Sequence, residues 1–329
     1  MELRNKIGIV KAFINEKLFS RRAPVLVSWH LLNRCNRRCQ YCYRWSEQTK
    51  ELDTKEIFLT IGRLKKMGTQ VIMFSGGEPL LRDDIADIIR CCRNKGIFVG
   101  LTSNGDFVEK RISGLKGLNV LKLSFEGPKE THDLLRGEGS WEGVMRATRA
   151  AKESNIITKY STNLTSYNID CIDYILQKSR ELNVGVKFNP VTYVHSCGKD
   201  ISFLFPKSDK YKHAIEKLIL LKKKNPYIIN STAGLRYLYN WPIHSDLKCH
   251  AGKLNCCIAP NGEVYPCALL MGRKGGAPSC LSREFKKEFQ GLYGINFCTG
   301  CWCSTTLELN YLLSFNIGAV LNIGTFFSR

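Results

Sequence analysis

The chain reads, from residue 25 to residue 43, Val25-Leu-Val-Ser-Trp-His-Leu-Leu-Asn-Arg-Cys35-Asn-Arg-Arg-Cys39-Gln-Tyr-Cys42-Tyr43. The apolar and β-branched residues over 25–32 predict a strand, and the cysteines that follow it at C-x3-C-x2-C spacing predict a metal-binding loop. Three thiolates on one short loop can hold three irons of a cubane cluster and leave the fourth iron without a protein ligand. The first strand is therefore expected to lead directly into a cluster site.

A structural zinc ion is the alternative occupant of this loop. Zinc prefers four ligands in a closed tetrahedron, usually from two separated C-x2-C pairs. The nearest further ligands are His30, which lies upstream on the predicted strand, and Cys91. Neither completes a second pair, so the spacing favours a cluster over zinc.

Length and composition indicate one large domain with a small appendage. The chain has 329 residues, 44% of them hydrophobic, which is enough to bury a large core. It contains 15 cysteines, and its first residues lack the apolar run of a secretory signal. Clustered cysteines in that context indicate metal ligands in a reducing cytosol, so a cytoplasmic location is expected.

The net charge of +20 favours acidic partners. Nucleic acid is not expected, because no nucleic-acid-binding module or basic motif interleaved with aromatic residues is present. Residues 7–22 predict a basic amphipathic helix, and the uncharged residues 309–328 are interrupted by Asn and Gly. Peripheral membrane contact stays open, although terminal helices packed over the domain are the preferred interpretation.

Strand-like and helix-like segments alternate along the first 190 residues, which predicts parallel β/α units. Strands are predicted over 25–32, 71–74, 97–102, 120–124, 156–162 and 184–189. Helices are predicted over 53–67, 83–95, 140–154 and 168–181, with Asp53 or Thr54 as N-cap of the first and Glu56 completing the cap. The fold class is therefore α/β, a partial (β/α)6 barrel of the TIM type, with its polar loops at the carboxyl edge of the strands.

The pattern changes after Pro190, and five regions are expected. Residues 248–308 are rich in cysteine and show little periodicity, which indicates that metal organises them. The regions are an N-terminal amphipathic helix at 1–24, the partial barrel at 25–195, a bridging segment at 196–245, a small cysteine-rich cluster domain at 246–308 and an apolar C-terminal helix at 309–329.

Two motifs together resemble the signature of the radical S-adenosylmethionine (SAM) enzymes. The first is the cysteine triplet with the aromatic Tyr41 before Cys42, and the second is Ser75-Gly-Gly-Glu-Pro79, one strand later. The resemblance implies that Cys35, Cys39 and Cys42 hold a 4Fe–4S cluster whose open iron binds SAM. It also implies reductive cleavage of SAM to a 5′-deoxyadenosyl radical, and a low-potential electron donor such as flavodoxin or ferredoxin. No side chain beyond the cluster ligands is assigned a catalytic role.

The same resemblance implies a set of SAM-binding residues at the ends of successive strands. They are Gly76, Gly77, Glu78 and Pro79 after the second strand, Ser103 and Asn104 after the third, Ser124 and Glu126 after the fourth, and Arg136 beyond it. Glu126 departs from the family's usual Asp. Arg136 is expected either to pair with the SAM carboxylate or to be a solvated arginine at a helix start. Thr162 and Asn168 are weaker expectations near the adenosine.

The C-terminal cysteines resemble the SPASM/twitch extension of radical SAM enzymes, which binds auxiliary 4Fe–4S clusters. The implied ligands of a single second cluster are Cys249, Cys267, Cys298 and Cys301. Cys303, Cys256 and Cys257 are alternatives for one position, and a structural zinc is the alternative occupant.

The expected function is hydrogen abstraction from carbon in a peptide or small-molecule biosynthetic substrate, with the second cluster assisting oxidation or anchoring substrate. One alternative is modification of a lipid or tetrapyrrole precursor at a membrane surface. Another is a metal-bound scaffold without catalytic activity. The motifs carry information about the cofactors and little about the substrate.

Overall fold

Parallel β/α units build the N-terminal part of the chain, as the alternation predicted. The structure is a computed structural model, and it describes residues 2–193, 196–243, 247–272, 276–294, 300–314 and 316. The strands are β1 (Leu26–His30), β2 (Val71–Ser75), β3 (Phe98–Ser103), β4 (Val120–Ser124), β5 (Ile157–Leu164), β6 (Gly185–Pro190), β7 (Asn255–Ile258) and β8 (Val264–Tyr265).

Helices cover the outside of these strands and link them. They are α1 (Leu3–Phe19), α2 (Thr54–Lys66), α3 (Ile85–Asn94), α4 (Val108–Arg111), α5 (Lys129–Arg136), α6 (Ser140–Glu153), α7 (Ile172–Glu181), α8 (Ser208–Lys222), α9 (Thr232–Leu238), α10 (Phe285–Gln290) and α11 (Ser304–Leu313). The expected cap of α2 is present, because Asp53 accepts from the Glu56 backbone N–H and Glu56 accepts from that of Asp53. Helix α5 was not expected from the sequence.

The strands form one eight-stranded sheet in the order β6-β5-β4-β3-β2-β1-β7-β8. Strands β1 to β6 are parallel neighbours in sequence order, with Leu26 beside Val71 and Lys122 beside Lys159. All six therefore end at one edge, and the loops after them meet there. The partial-barrel α/β fold is confirmed.

The cysteine-rich segment differs from expectation because part of it belongs to this sheet. Strand β7 pairs in parallel with β1, placing Cys257 beside Ser28, and then turns back antiparallel into β8. All four residues of β7 are buried. Hydrogen bonding to β1 and core burial organise this stretch, whereas the sequence analysis attributed its organisation to metal alone.

Helix α1 packs at the amino ends of the strands, with polar side chains pointing inward. Asn5 is buried and donates from Nδ2 to the Gly96 carbonyl oxygen at 2.9 Å. Glu16 is buried in an ion pair with Lys253. An outward-facing apolar stripe is left exposed, consisting of Leu3, Ile7, Val10, Ile14 and Leu18.

The C-terminal helix begins earlier than expected. Helix α11 starts at Ser304, and its Glu308, Asn310 and Leu313 are buried against the domain. Residues 317–329, the greater part of the expected apolar helix, lie outside the described residues. Within the described ranges, none of the helices has the length and apolar character required to cross a bilayer.

Candidate active site

The cysteine loop lies over a cavity of about 490 Å³ that is enclosed by the strands. Cys35, Cys39 and Cys42 all line this cavity. Strand β1 leads into the loop, and the Leu31 N–H donates to the Ser75 carbonyl oxygen at 2.9 Å. The three thiols therefore face the interior of the barrel from the edge where its functional loops meet.

Gly76 and Gly77 are required because the cysteine loop passes directly against them. The Gly77 N–H donates to the Leu32 carbonyl oxygen at 2.7 Å. A Cβ atom on Gly76 would lie 2.2 Å from that oxygen, and one on Gly77 would lie 2.1 Å from the Arg34 carbonyl oxygen. Gly76 also has a φ of 136°, a conformation that other residues rarely adopt. Both glycines line the cavity, and their expected contact with SAM stays a prediction.

Glu78 is fully buried and joins the loop after β2 to the loop after β3. Its carboxylate accepts from the Ser103 hydroxyl at 3.0 Å, the Asn104 N–H at 2.8 Å and the Leu80 N–H at 3.1 Å. Burial raises the pKa of Glu78 to about 7, although these hydrogen bonds by themselves lower it. Glu78 and the buried Pro79 lie behind the described cavity wall, whereas Ser103 and Asn104 form part of it.

Arg37 fastens the cysteine loop to the rest of the barrel edge. Its guanidinium donates to both carboxylate oxygens of Asp106, at 2.5 and 2.7 Å, and to the Glu138 carbonyl oxygen at 2.7 Å. Asn104 Nδ2 donates to Asn36 Oδ1 at 2.8 Å and lies 3.9 Å from Cys35 Sγ. A two-point ion pair fixes orientation as well as distance, so the loop is held in one arrangement.

Arg136 is buried at the last residue of α5, so the alternative of a solvated arginine at a helix start is wrong. It donates from Nη1 to Glu126 Oε1 at 2.9 Å and to the Tyr41 hydroxyl. Glu126 is fully buried, and its other oxygen accepts from the Asn163 N–H at 2.9 Å. Burial raises the pKa of Glu126, and the charge of Arg136 opposes that rise.

Arg136 also faces the cavity, and its buried Nε has no hydrogen-bond partner among the described residues. A buried donor in this position suits an anionic group of a ligand. Ser124 lines the same wall, and Glu126 lies behind it. Thr162 and Asn168 are buried and donate to backbone carbonyl oxygens, the Thr162 hydroxyl to that of Phe125 and the Asn168 side-chain amide to that of Glu126.

The donor set of the loop fits an iron–sulfur cluster. Burial raises the pKa of Cys35, and burial together with Cys39 raises that of Cys42 to about 11, so these thiols need a metal to become thiolates. Among the described residues, no three His, Cys, Asp or Glu side chains converge as ligands of a single ion. A cubane needs no such convergence, because each thiolate binds a different iron.

The C-terminal cysteines approach the barrel from the β7 side. Cys249 packs against a small group of buried apolar residues that includes Cys267. Burial and the nearby Cys267 and Cys303 thiols raise the pKa of Cys257 to about 12. Cys301 is buried, with Asn310 Nδ2 3.7 Å from its sulfur. Cys298 lies outside the described residues.

Of these C-terminal cysteines, four line the central cavity: Cys256, Cys257, Cys267 and Cys303. They include all three alternatives that the sequence analysis left open. The choice of ligands for a second cluster stays a prediction, because the loop that carries Cys298 is not described.

Three lysines inside the barrel were not predicted from the sequence: Lys122 on β4, Lys159 on β5 and Lys187 on β6. The signal was present in the strand period. Side chains two residues apart point to the same face, so Lys122 shares the inward face of Ser124, which had been assigned to the site.

The part of the chain that carries this site is similar to known proteins. Residues 29–178 match the family model of the radical SAM superfamily. The chain is 30% identical over 170 residues to an Fe-coproporphyrin III synthase of Methanosarcina barkeri, covering 50% of this chain and 43% of that protein. It is 26% identical over 323 residues to an AdoMet-dependent heme synthase of the same organism, covering 85% of this chain and 91% of that protein.

Solved structures share the fold at lower identity. Streptococcus suis SuiB superposes with a TM-score of 0.68 at 15% identity, covering 88% of this chain and 70% of that one. The protein anSMEcpe with bound AdoMet superposes with a TM-score of 0.69 at 18% identity, covering 82% of this chain and 81% of that one. These likenesses concern the fold alone.

Proposed function

We propose that this chain, whose residues 29–178 match the radical SAM family model, is a radical SAM enzyme like its curated relatives and abstracts hydrogen from carbon in an organic substrate bound inside its barrel. The observation that carries the proposal is the position of Cys35, Cys39 and Cys42, which line one cavity together with Arg136 and Asn104. Cys35, Cys39 and Cys42 would hold a 4Fe–4S cluster there, and together with SAM it would supply the radical chemistry that removes a hydrogen atom.

The protein's part is to hold the site rigid and to limit access of water. Arg37 and the two glycines fix the cysteine loop, and Glu78 fixes the next loop along the edge. Beneath them, the inward residues at the amino ends of the strands are apolar, among them Val71, Phe98 and Val120. Apolar walls exclude competing hydrogen donors from the space where substrate binds.

The residues predicted to bind SAM are proposed to have two kinds of role. Gly76, Gly77, Ser103, Asn104, Ser124 and Arg136 border the cavity and are proposed to contact SAM. Glu78, Pro79 and Glu126 are proposed to position them, because the carboxylates of Glu78 and Glu126 bind neighbouring loops. The unpartnered Nε of Arg136 supports a contact with an anionic group.

A second 4Fe–4S cluster is proposed for the C-terminal region. Cys249 packs against the group of buried apolar residues that includes Cys267, which supports these two cysteines as ligands of the iron–sulfur cluster. Cys298 and Cys301 are proposed as the other two ligands. Cys303 is the alternative to Cys301, supported by its place on the cavity wall near Cys257. Such a cluster would accept an electron from the substrate or anchor it.

Among substrate classes, a carboxylated tetrapyrrole is favoured over a peptide. The two curated relatives described above are named for tetrapyrrole products, and one of them is similar over 91% of its length. The peptide-bound structures of SuiB and anSMEcpe support a peptide only through a shared fold at 15–16% identity. A low-potential donor such as flavodoxin or ferredoxin would supply the electron.

Contact with a membrane surface is a further candidate property, favoured by α1. Its exposed apolar stripe lies on a helix that also carries Lys6, Lys11 and Lys17. A helix with apolar and basic faces binds at the interface of anionic bilayers. A hydrophobic tetrapyrrole or lipid precursor would then be collected at that surface.

Anaerobic reconstitution distinguishes the enzyme from a metal-bound scaffold. We expect about eight irons per chain, corresponding to two clusters, and 5′-deoxyadenosine on addition of SAM and dithionite. Fe-coproporphyrin III is then added and the products are analysed by mass spectrometry. If the substrate is a peptide instead, the tetrapyrrole should be recovered unchanged. Zinc as the dominant metal, or absence of 5′-deoxyadenosine, would contradict the proposal.

A further inference from the structure

Cationic side chains line a surface groove between the end of α1 and helix α10. This basic groove has a volume of about 720 Å³ and shares no residue with the central cavity. Glu284 is the one carboxylate among the described residues that line it. The cations come from two separate segments of the chain and are Arg21, Arg22, Arg283, Lys286 and Lys287. The groove therefore presents an excess of positive charge to solvent.

Contacts between distant segments build the basic groove. Arg22 Nη1 donates to the Gln290 carbonyl oxygen at 2.5 Å, and Gln290 Nε2 donates to the Arg22 carbonyl oxygen at 3.1 Å. The Arg22 guanidinium also lies over the Tyr293 ring, 4.7 Å from its centroid. Phe285 and Phe289 are buried one turn apart on α10, so this helix is held with its cationic residues on the solvent side. Like charges are thereby brought close together, which costs repulsion.

The protein compensates little of this charge. Among the described residues, Lys287 is the one groove cation within 4.0 Å of a carboxylate, and it pairs with Glu284 at 3.4 Å. These two side chains are 82% and 66% exposed, and exposed pairs of this kind are weak. Glu288, the acidic residue within α10, accepts instead from the Ser282 hydroxyl at 2.7 Å. Binding of an external anion would therefore relieve the repulsion within the groove.

The exposed apolar stripe of α1 lies next to the basic groove. Leu18, the last residue of the stripe, and the adjacent Phe19 are 70% and 63% exposed. The Arg21 guanidinium lies over the Phe19 ring, 5.7 Å from its centroid, so the stripe and the groove are continuous. Apolar side chains beside basic ones match the interface of an anionic bilayer, where phosphates flank the acyl chains. An acidic protein surface would match the charge of the groove and leave the stripe in water.

We propose that the basic groove binds phosphate groups of anionic phospholipids while the apolar stripe of α1 enters the bilayer interface. This inference rests on the membrane contact proposed above and deepens it, because it adds a headgroup site on residues 283–287, which lie far from α1 in the sequence. Arginine and lysine side chains bind phosphate through charge-assisted hydrogen bonds, and anionic headgroups attract basic residues within a Debye length of the surface. Binding should therefore weaken as the salt concentration rises.

The test measures flotation of the anaerobically reconstituted full-length protein with phosphatidylglycerol vesicles and with phosphatidylcholine vesicles. We expect at least about tenfold tighter binding to phosphatidylglycerol. The groove variant, Arg283→Gln with Lys286→Gln, should weaken binding to phosphatidylglycerol about tenfold and leave binding to phosphatidylcholine unchanged. Both residues are exposed, so the fold should be retained.

Lys223→Gln with Lys224→Gln is the matched control, because it also removes two positive charges, at exposed positions after α8. It should bind phosphatidylglycerol as the unmodified protein does. The headgroup site is disproved if the groove variant binds as tightly as the unmodified protein, if the control loses as much, or if the unmodified protein does not bind phosphatidylglycerol. Displacement from vesicles by inorganic phosphate at constant ionic strength would also disprove it, since the groove would then take free phosphate. Formation of 5′-deoxyadenosine is measured separately on the unmodified protein without vesicles, so the lipid site and the radical chemistry can fail independently.

Discussion

Tyr41, the aromatic residue inside the cysteine motif, donates a hydrogen bond from its hydroxyl to Glu126 Oε1 at 2.6 Å. The two residues are 85 positions apart in the sequence. The same hydroxyl accepts from Arg136, so one buried polar group ties the cysteine loop to β4 and α5. The aromatic position of the motif therefore serves as a hydrogen-bonding residue as well as a packing one.

Removing parts of this buried group should have graded effects on stability. Tyr41→Phe leaves the contact between Glu126 and Arg136 in place and should lower the free energy of unfolding by about 1–2 kcal/mol. Glu126→Ala leaves a buried guanidinium without its carboxylate and should cost about 3–5 kcal/mol. Urea unfolding under anaerobic conditions measures both, with Tyr167→Phe at an exposed position as control. Equal losses for the two variants would contradict this arrangement.

Alanine at Gly77 should displace the cysteine loop. Its Cβ would lie 2.1 Å from the Arg34 carbonyl oxygen, so the backbone must move. We expect loss of about half the bound iron and at least about 2 kcal/mol of stability.

Gly62→Ala is the matched control for that substitution, because Gly62 lies in α2 with nothing within 4 Å of its Cβ position. It should stabilise the protein by up to about 1 kcal/mol and leave the iron content unchanged. Normal iron content in Gly77→Ala would show that the contact is not needed to hold the loop.

Cysteine substitutions should divide the iron into two sets. Replacing Cys35, Cys39 and Cys42 by Ala should reduce about eight irons to about four and abolish 5′-deoxyadenosine formation, because no other thiol is on that loop. Cys267→Ala should remove the other four.

Comparing Cys301→Ala with Cys303→Ala then identifies which of the two is a ligand of the second cluster, as the one whose loss removes iron. Cys91→Ala, on helix α3 and only partly buried, should change neither count. Full iron content after loss of the N-terminal triplet would contradict the assignment of the whole site.

Glu78 should make stability depend on pH. Its pKa is raised from 4.5 to about 7, so between these values the folded state holds a proton that the unfolded state has released. The free energy of unfolding therefore falls as pH rises through this range, by about 3 kcal/mol in total. Glu78→Gln has no group that titrates at this position. The free energy of unfolding of the unmodified protein should therefore exceed that of Glu78→Gln by less at pH 8 than at pH 5. Parallel unfolding curves at all pH values would argue against a buried, titrating Glu78.

The apolar stripe of α1 should bind anionic vesicles. Ile14→Glu places a charge in the centre of the stripe and should abolish co-flotation with phosphatidylglycerol vesicles, because inserting it would require burying that charge. Leu220→Glu, at an exposed position of α8, should float as the unmodified protein does. Absence of flotation by the unmodified protein would remove membrane contact from the proposal.

Local sequence was sufficient for the repeated unit of the fold. Strand β4 has the predicted bounds, and the bounds of the other five strands of the β/α units differ from prediction by at most two residues at either end. Strands β2, β3 and β4 are short apolar runs between glycine-containing turns, so their conformation depends on neighbours in the sequence. Helix α5 escaped prediction because it has only eight residues, and its buried His132, Leu135 and Arg136 do not look apolar as a set.

The sequence by itself determined the cofactor chemistry and the α/β class, because a ligand triplet and a strand period are local patterns. Only the tertiary structure brought together groups far apart in the chain. It placed β7 beside β1, closed Arg136 onto Glu126 and Tyr41, and gathered three lysines from separate strands into one cavity. The residue type specifies which ionisable group a side chain carries. Its burial and its neighbours, which set its pKa and its contacts, arise only when strands distant in the sequence pack together.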